Sequence, residues 1–141
     1  MISYYSENVK VPNIRRRDVS AWIKKVAALH GKKVGNIAYI FCDDEKILEV
    51  NRQYLQHDYY TDIITFDDSE GDVISGDIFI SLDTVRSNAE KEGVDFTDEL
   101  HRILVHGVLH LTGQADKTPE TKAVMTRKEE HALALLESKQ E

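Results

Sequence analysis

The sequence predicts an α+β domain in which a small mixed sheet of about four strands packs with about five helices. Segments with strand composition alternate with segments of helical periodicity, and no internal repeat of uniform period is present. The length of 141 residues fits one domain, because domains most often contain about 100–150 residues. We therefore expect residues 1–141 to form a single folded domain, apart from the last few residues.

The first half of the chain contains two predicted strands and two predicted helices. The strands are expected at 2–6, as a short edge strand, and at 34–41, and the helices at 18–30 and 43–54. Asp18 is the predicted N-cap of the first helix, and Gly31 would end it. The acidic residues from Asp43 to Glu45 favour the start of the second helix, because negative charge stabilises a helix N-terminus.

The second half contains two more strands and three helices. The strands are expected at 63–66 and 77–81, joined by the acidic loop 67–71, and the helices at 82–91, 97–112 and 118–136. Thr97 or Asp98 would cap the fourth helix, which ends at Gly113. Met125, Ala132 and Leu136 share one face of the last helix.

Composition limits the compartment and the metal chemistry. The chain has neither a secretory signal pattern nor a run of eighteen apolar residues, so the default expectation is a cytoplasmic protein. Cys42 is the only cysteine, which excludes an intramolecular disulfide and a thiolate-rich metal cluster. Any metal ion must therefore have nitrogen and oxygen ligands.

The charge distribution leaves two interpretations open. A net charge of −7 argues against indiscriminate nucleic-acid binding, yet residues 1–33 carry eight basic and two acidic side chains. The run Arg15-Arg16-Arg17 either contacts a phosphate backbone or lies on a solvated helix face.

The strongest chemical pattern is His-x-x-x-His-x-x-Gly-x-x-Asp. His106 and His110 lie one turn apart on the same face of a predicted helix, and Gly113 permits a turn that returns Asp116 to them. Two imidazoles and a carboxylate suit one zinc ion per chain, and three protein ligands leave a position for water, as in catalytic sites. The alternative is a surface histidine pair, with Asp116 capping the last helix.

Other candidate residues have simpler explanations. His101 lies about 140° around the helix from His106 and is expected to be a solvent-facing or capping residue, whereas His30, His57 and His131 are expected to be structural or surface residues. Asp62 and Asp77 are read as strand-end caps. Four acidic residues either bind a second metal or are simply solvated: Asp67, Asp68, Glu70 and Asp72.

The metal pattern resembles that of the metzincin proteases, with one difference that argues against peptide hydrolysis. In those enzymes a glutamate follows the first histidine as general base, and here that residue is Gly107. A metal-bound water with a pKa near ~7 could still attack another electrophile, and a phosphodiester is the natural candidate. No general base can be assigned from the sequence.

The histidine pattern belongs to a longer signature at 105–113, and it occurs together with Asn51, the Thr-Asp-Ile-Ile-Thr-Phe block at 61–66 and the Gly-Asp-Ile-Phe-Ile-Ser block at 76–81. Together these blocks resemble the bacterial YbeY family of predicted zinc-dependent rRNA maturation factors. The resemblance implies a metal-dependent, single-strand-specific endoribonuclease. It would act in 16S rRNA 3′-end maturation and ribosome quality control, with ribosomal RNA and the ribosome as partners.

Two positions depart from the family pattern. Most members have a histidine as third ligand where this chain has Asp116, an anion that should lower the Lewis acidity of the ion. Many members carry an arginine at or near Leu55, so Arg52 or another basic residue would have to contact the phosphate instead. Two rival functions remain: a zinc hydrolase of another ester or amide, and a non-catalytic ribosome assembly factor with a structural metal.

Overall fold

The computed structural model describes residues 1–55 and 61–140, with side chains described to residue 136. It confirms the predicted α+β class, with four strands and five helices in these residues. The strands are β1 (Ile2–Ser6), β2 (Lys33–Cys42), β3 (Ile63–Asp67) and β4 (Val73–Ser81). The helices are α1 (Arg16–Leu29), α2 (Asp44–Leu55), α3 (Leu82–Glu92), α4 (Phe96–Leu111) and α5 (Pro119–Gln140).

The sheet is mixed, as predicted, with the strand order β1-β2-β4-β3. Strands β1, β2 and β4 are parallel, and β3 pairs antiparallel to β4 at one edge. The acidic loop joins β3 and β4 as a hairpin, whereas helix α1 makes the longer connection that parallel pairing of β1 and β2 requires. The predicted edge position of β1 is confirmed.

Successive strand residues point to opposite sides of the sheet, and both sides carry apolar residues, so helices cover both faces. The larger core lies between the sheet and α1, α3, α4 and α5, and it contains Trp22, Tyr39, Ile78 and Leu104. Helix α2 packs on the other face, where it forms a smaller core whose buried residues are Cys42, Ile47, Val50 and Ile64. Nine residues of α4 are buried, so this helix is held firmly against the sheet.

Helix α5 closes the larger core. The face that Met125, Ala132 and Leu136 share is buried, since each of these residues is at most 3% exposed. The Trp22 indole Nε1 donates a hydrogen bond to the Ala132 carbonyl at 2.7 Å, which ties α5 to α1. Although α5 spans 22 residues, no helix in the described ranges combines the length and apolarity needed to cross a membrane.

Three predicted boundaries are wrong. Helix α1 begins at Arg16, so Asp18 lies in its first turn and stabilises the helix dipole instead of capping it. Helix α4 begins at Phe96, with Asp95 in the extended N-cap position rather than Thr97 or Asp98. Strand β4 begins four residues earlier than predicted, because Val73 pairs with Lys33 of β2 and the strand continues through Gly76.

Burial of Cys42 predicts an unreactive thiol. The side chain is 0% exposed, and burial, with the nearby charges of Asp43 and Glu7, raises the pKa of the Cys42 thiol to about 12. Because the thiolate is the reactive form, we expect iodoacetamide at pH 8 to leave the native protein unmodified and to add one label per chain in denaturant. Mass spectrometry measures the labelling.

A Ser87→Cys variant is the control, because Ser87 is exposed on α3 and its thiol should react in the native protein. Labelling of native Cys42 at the same rate as this exposed cysteine would show that the smaller core opens readily.

Candidate metal site

The C-terminal half of α4 positions two histidines side by side. His106 and His110 are partly exposed at a cleft, with 18% and 29% of their side chains accessible. Their rings meet edge to face with centroids 4.6 Å apart, and their Nε2 atoms are 3.0 Å apart. Two imidazole nitrogens therefore face the same point, as the four-residue spacing predicts.

A turn after α4 brings Asp116 to the histidines. The chain leaves the helix at Leu111, and Gly113 has φ +102°, a left-handed conformation that favours glycine. The Asp116 Oδ2 atom lies 3.4 Å from Nε2 of His106 and 3.5 Å from Nε2 of His110. The structure thus brings together all three residues that the sequence singled out.

Hydrogen bonds at the Nδ1 atoms fix the ring orientation of both histidines. Nδ1–H of His106 donates to Oε2 of Glu129 at 2.5 Å, and Nδ1–H of His110 donates to the Gln114 carbonyl at 3.0 Å. Because each Nδ1 faces an acceptor, it must carry a proton. Both Nε2 lone pairs are then directed towards Asp116, in the arrangement that histidine ligands of metal ions adopt.

The donor set fits a divalent transition-metal ion. Three acceptor atoms, two of nitrogen and one of oxygen, converge within 3.5 Å, and they repel one another unless a cation or a proton lies between them. Nitrogen and oxygen ligands of this kind suit zinc and related ions. Among the described residues, these are the only three His, Cys, Asp or Glu side chains grouped closely enough to hold an ion together.

Burial and charge act differently on the two imidazoles. Burial lowers the pKa of His106, but its hydrogen bond to Glu129 and the nearby carboxylates of Glu129, Asp116 and Asp62 outweigh burial and raise it. Burial, followed by the charge of His106, lowers the pKa of His110. His110 is therefore neutral at neutral pH, which is the form that binds a metal.

The site opens into a cleft of about 520 Å³. The end of α2 and strand β3 form two of its sides, and the segment after α4 forms another. Its lining combines apolar residues of α2 and β3 with polar and charged side chains, which include Thr61, Asp62, Thr65, Asp67 and Lys117. A substrate can therefore reach the three candidate ligands.

The packing around Gly107 favours glycine at the position where the proteases have a glutamate. Gly107 is buried where α4 crosses the sheet, and a Cβ atom at this position would lie 3.1 Å from side-chain atoms of Ile63 and Ile78. This distance is tighter than ordinary van der Waals contact. A glutamate at position 107 would therefore press against the side chains of Ile63 and Ile78, which would have to shift to accept it.

Several other predicted residues lie outside the site. His101 is not solvent-facing, because it is half-buried against Trp22 with an edge-on ring contact at 5.9 Å, and burial lowers its pKa. Arg15 lies beside Thr97 and His101 at the beginning of α4, whereas the candidate ligands lie at its end. His57 falls outside the described residues.

The acidic residues of β3, β4 and their loop are dispersed. Asp67 accepts a hydrogen bond from the Ser69 amide at 2.8 Å, and Asp72 lies 3.8 Å from the Lys32 ammonium group. Asp77 is exposed within β4 and does not cap its end. Asp62 precedes β3 and lines the cleft, where Asn88 donates a hydrogen bond to Oδ2 at 3.3 Å.

The sequence analysis missed Glu129, which orients His106. Only 9% of the Glu129 side chain is exposed, and its Oε1 accepts a hydrogen bond from Arg102 at 2.9 Å. The sequence did contain a sign of this role, because Glu129 lies at helical spacing between Met125 and Ala132, on the face of α5 that these two residues share. A carboxylate on a buried face needs a partner, and here the partners are Arg102 and His106.

The sequence model described as Endoribonuclease YbeY matches residues 2–137. The chain belongs to the YbeY family. Two relatives named Endoribonuclease YbeY come from Phocaeicola vulgatus and Bacteroides thetaiotaomicron. The first is 63% identical, covering 96% of this chain and 99% of its own length, and the second is 60% identical, covering 95% and 98%.

A solved structure supports the same family fold. The solution structure of a Thermotoga maritima protein superimposes with a TM-score of 0.67 at 25% identity, covering 99% of this chain and 93% of the other. The fold of this chain is therefore shared with that structure across nearly the whole length.

The role of Glu129 can be tested through metal affinity. Glu129→Gln keeps a hydrogen-bond acceptor for His106 but removes the negative charge that strengthens the imidazole as a ligand. We expect the affinity for zinc to fall about 10–100-fold, as is usual when a residue that orients a metal ligand is replaced. Competition with a chromogenic chelator measures this affinity.

Glu130→Gln is the matched control, because Glu130 is the exposed neighbour of Glu129 on α5. Equal zinc affinities for the two variants, with native circular dichroism spectra, would contradict the role given to Glu129.

Proposed function

We propose that this chain is a metal-dependent endoribonuclease that cleaves single-stranded RNA and acts in 16S rRNA 3′-end maturation and ribosome quality control. In this proposal one zinc ion is held by His106, His110 and Asp116, and ribosomal RNA on the ribosome is the substrate. The convergence of these side chains at an open cleft carries the proposal. Membership of a family whose relatives are named endoribonucleases supplies the reaction class.

Residues around the site hold the candidate ligands in an orientation suited to catalysis. Glu129 and the Gln114 carbonyl fix the two imidazoles, so that no reorganisation of the rings is needed during the reaction. When bound, the ion supplies Lewis acidity towards a phosphoryl oxygen and activates water for attack. Hydroxyl groups such as that of Thr65 can hydrogen-bond the RNA backbone along the cleft.

The shape of the site supports a preference for single strands. The candidate ligands lie inside a cleft rather than on a projecting surface, and their side chains are no more than 30% exposed. A flexible strand can bend its backbone into such a cleft, whereas a duplex presents a wide, rigid cylinder. Sequence-selective RNA-binding proteins also favour single strands over duplexes, because unpaired segments can expose their bases and backbone.

The packing of α4 argues against a structural metal and against peptide hydrolysis. A structural metal would be needed if the helix were poorly held, but nine α4 residues are buried and Tyr39 donates a hydrogen bond to the Leu104 carbonyl at 2.8 Å. Peptide hydrolysis lacks the glutamate base that follows the first histidine in the proteases, because that position is Gly107.

The proposal is tested by elemental analysis and RNA cleavage on the same samples. We expect about one zinc ion per chain and cleavage of a single-stranded RNA by the wild type. His110→Ala and Asp116→Ala should lose both the metal and the cleavage, because each removes one of three ligands. Circular dichroism and thermal unfolding should show that the variants remain folded, since the apolar core holds α4.

His131→Ala is the control, because His131 is an exposed histidine on α5 and lies outside the cleft. Retention of the metal without Asp116 would show that the ligand set is misassigned. Cleavage that survives loss of the metal would refute the metal-dependent mechanism, and unfolding of both ligand variants would favour a structural metal.

A further inference from the structure

The charge of the cleft is unbalanced for an RNA substrate. Its described lining includes three carboxylates, from Asp62, Asp67 and Asp116, but only one lysine or arginine, Lys117. Leu55 supplies an apolar side chain at the end of α2. Because the phosphates of RNA are negatively charged, a cleft with this many carboxylates needs positive charge beside the substrate as well as at the metal.

Lys117 is held close to the candidate ligands by its position in the chain. It directly follows Asp116 and directly precedes Thr118, whose hydroxyl accepts a hydrogen bond from the Thr121 amide at 3.1 Å. The Thr118 carbonyl also accepts a hydrogen bond from the Lys122 amide at 2.8 Å at the start of α5. The backbone around Lys117 is therefore fixed between the metal site and a helix terminus.

The Lys117 side chain is exposed to solvent. It forms no hydrogen bond or ion pair with any residue in the ranges that the structure describes. Two nearby cations are already occupied, since Arg102 donates to Glu129 at 2.9 Å and Lys128 donates to the Gln114 side chain at 2.7 Å. Arg15 lies at the other end of α4.

We propose that Lys117 binds a phosphate of the substrate strand at the edge of the metal site. An ammonium group has three donors on a flexible stem, so it can follow a phosphate without a fixed geometry. Lys117 thus supplies positive charge to a cleft in which the end of α2 contributes only the apolar side chain of Leu55. This inference rests on the ribonuclease activity proposed above, because it assigns a residue to the binding of that substrate.

The experiment compares Lys117→Gln, Lys117→Arg and Lys122→Gln with the wild type. Lys122→Gln is the matched control, because it removes the same charge from an exposed position five residues away that does not line the cleft. Binding is measured by fluorescence anisotropy with a single-stranded RNA whose phosphorothioate linkages slow cleavage, at several salt concentrations. Steady-state cleavage of the unmodified RNA and the bound zinc are measured on the same proteins.

For Lys117→Gln we expect RNA affinity to fall about three- to tenfold near 0.1 M salt, and KM to rise by a similar factor while kcat changes less. The slope of log affinity against log salt should become shallower by about 0.7, the change for one lost phosphate contact with a single strand. Lys117→Arg should restore most of the affinity, and the zinc content should be unchanged.

Two different failures can be told apart. If the wild type cleaves RNA but Lys117→Gln and Lys122→Gln have the same affinity and salt slope, Lys117 does not contact the substrate and the inference is wrong. A loss of zinc in Lys117→Gln would also overturn it, because the residue would then act on the metal site and not on RNA. A wild type that neither binds nor cleaves RNA would refute the proposed function itself.

Discussion

The close contact between helix α4 and the sheet at Gly107 determines where the candidate ligands lie. Because this residue has no side chain, the helix backbone approaches Ile63 and Ile78 directly, and a Cβ atom there would already be at 3.1 Å. His106 directly precedes Gly107 in the helix, and His110 lies one turn beyond His106 on the same helix face. The burial of α4 thus provides a rigid support for a site that is itself partly exposed to solvent.

The second constraint is electrostatic and concerns the buried carboxylate of Glu129. Moving an ionised carboxylate out of water costs several kcal/mol, about as much as the entire stability margin of some small domains, unless charged partners offset the loss. Arg102 and His106 are both within hydrogen-bonding distance of Glu129. The arrangement fixes the orientation of His106, so the buried carboxylate also positions one of the candidate metal ligands.

Sequence patterns predicted the helices, the strands and the three candidate ligands because each of these depends on local spacing. The four-residue step from His106 to His110 and the glycine turn before Asp116 are features of a few consecutive residues, and they needed no knowledge of the tertiary fold. Glu129 was missed because its role depends on how α5 packs on α4, 23 residues away in the chain. The environment of His101 was missed for the same reason, since its contact with Trp22 joins α4 to α1.

Asp116 brings a negative charge to the candidate metal site, and this charge affects how an anionic substrate could approach. A carboxylate ligand donates more charge to the ion than an imidazole does, which weakens the attraction of the ion for an anionic phosphate. Lys117 follows immediately in the chain, so the pair adds one negative and one positive charge to the cleft. Because Lys117 is exposed to solvent, its contact with a phosphate would contribute about 1 kcal/mol, which would offset part of the added repulsion. In the proposed site, the Asp116 carboxylate would help to hold the metal ion, and the neighbouring Lys117 ammonium group would keep the cleft accessible to RNA.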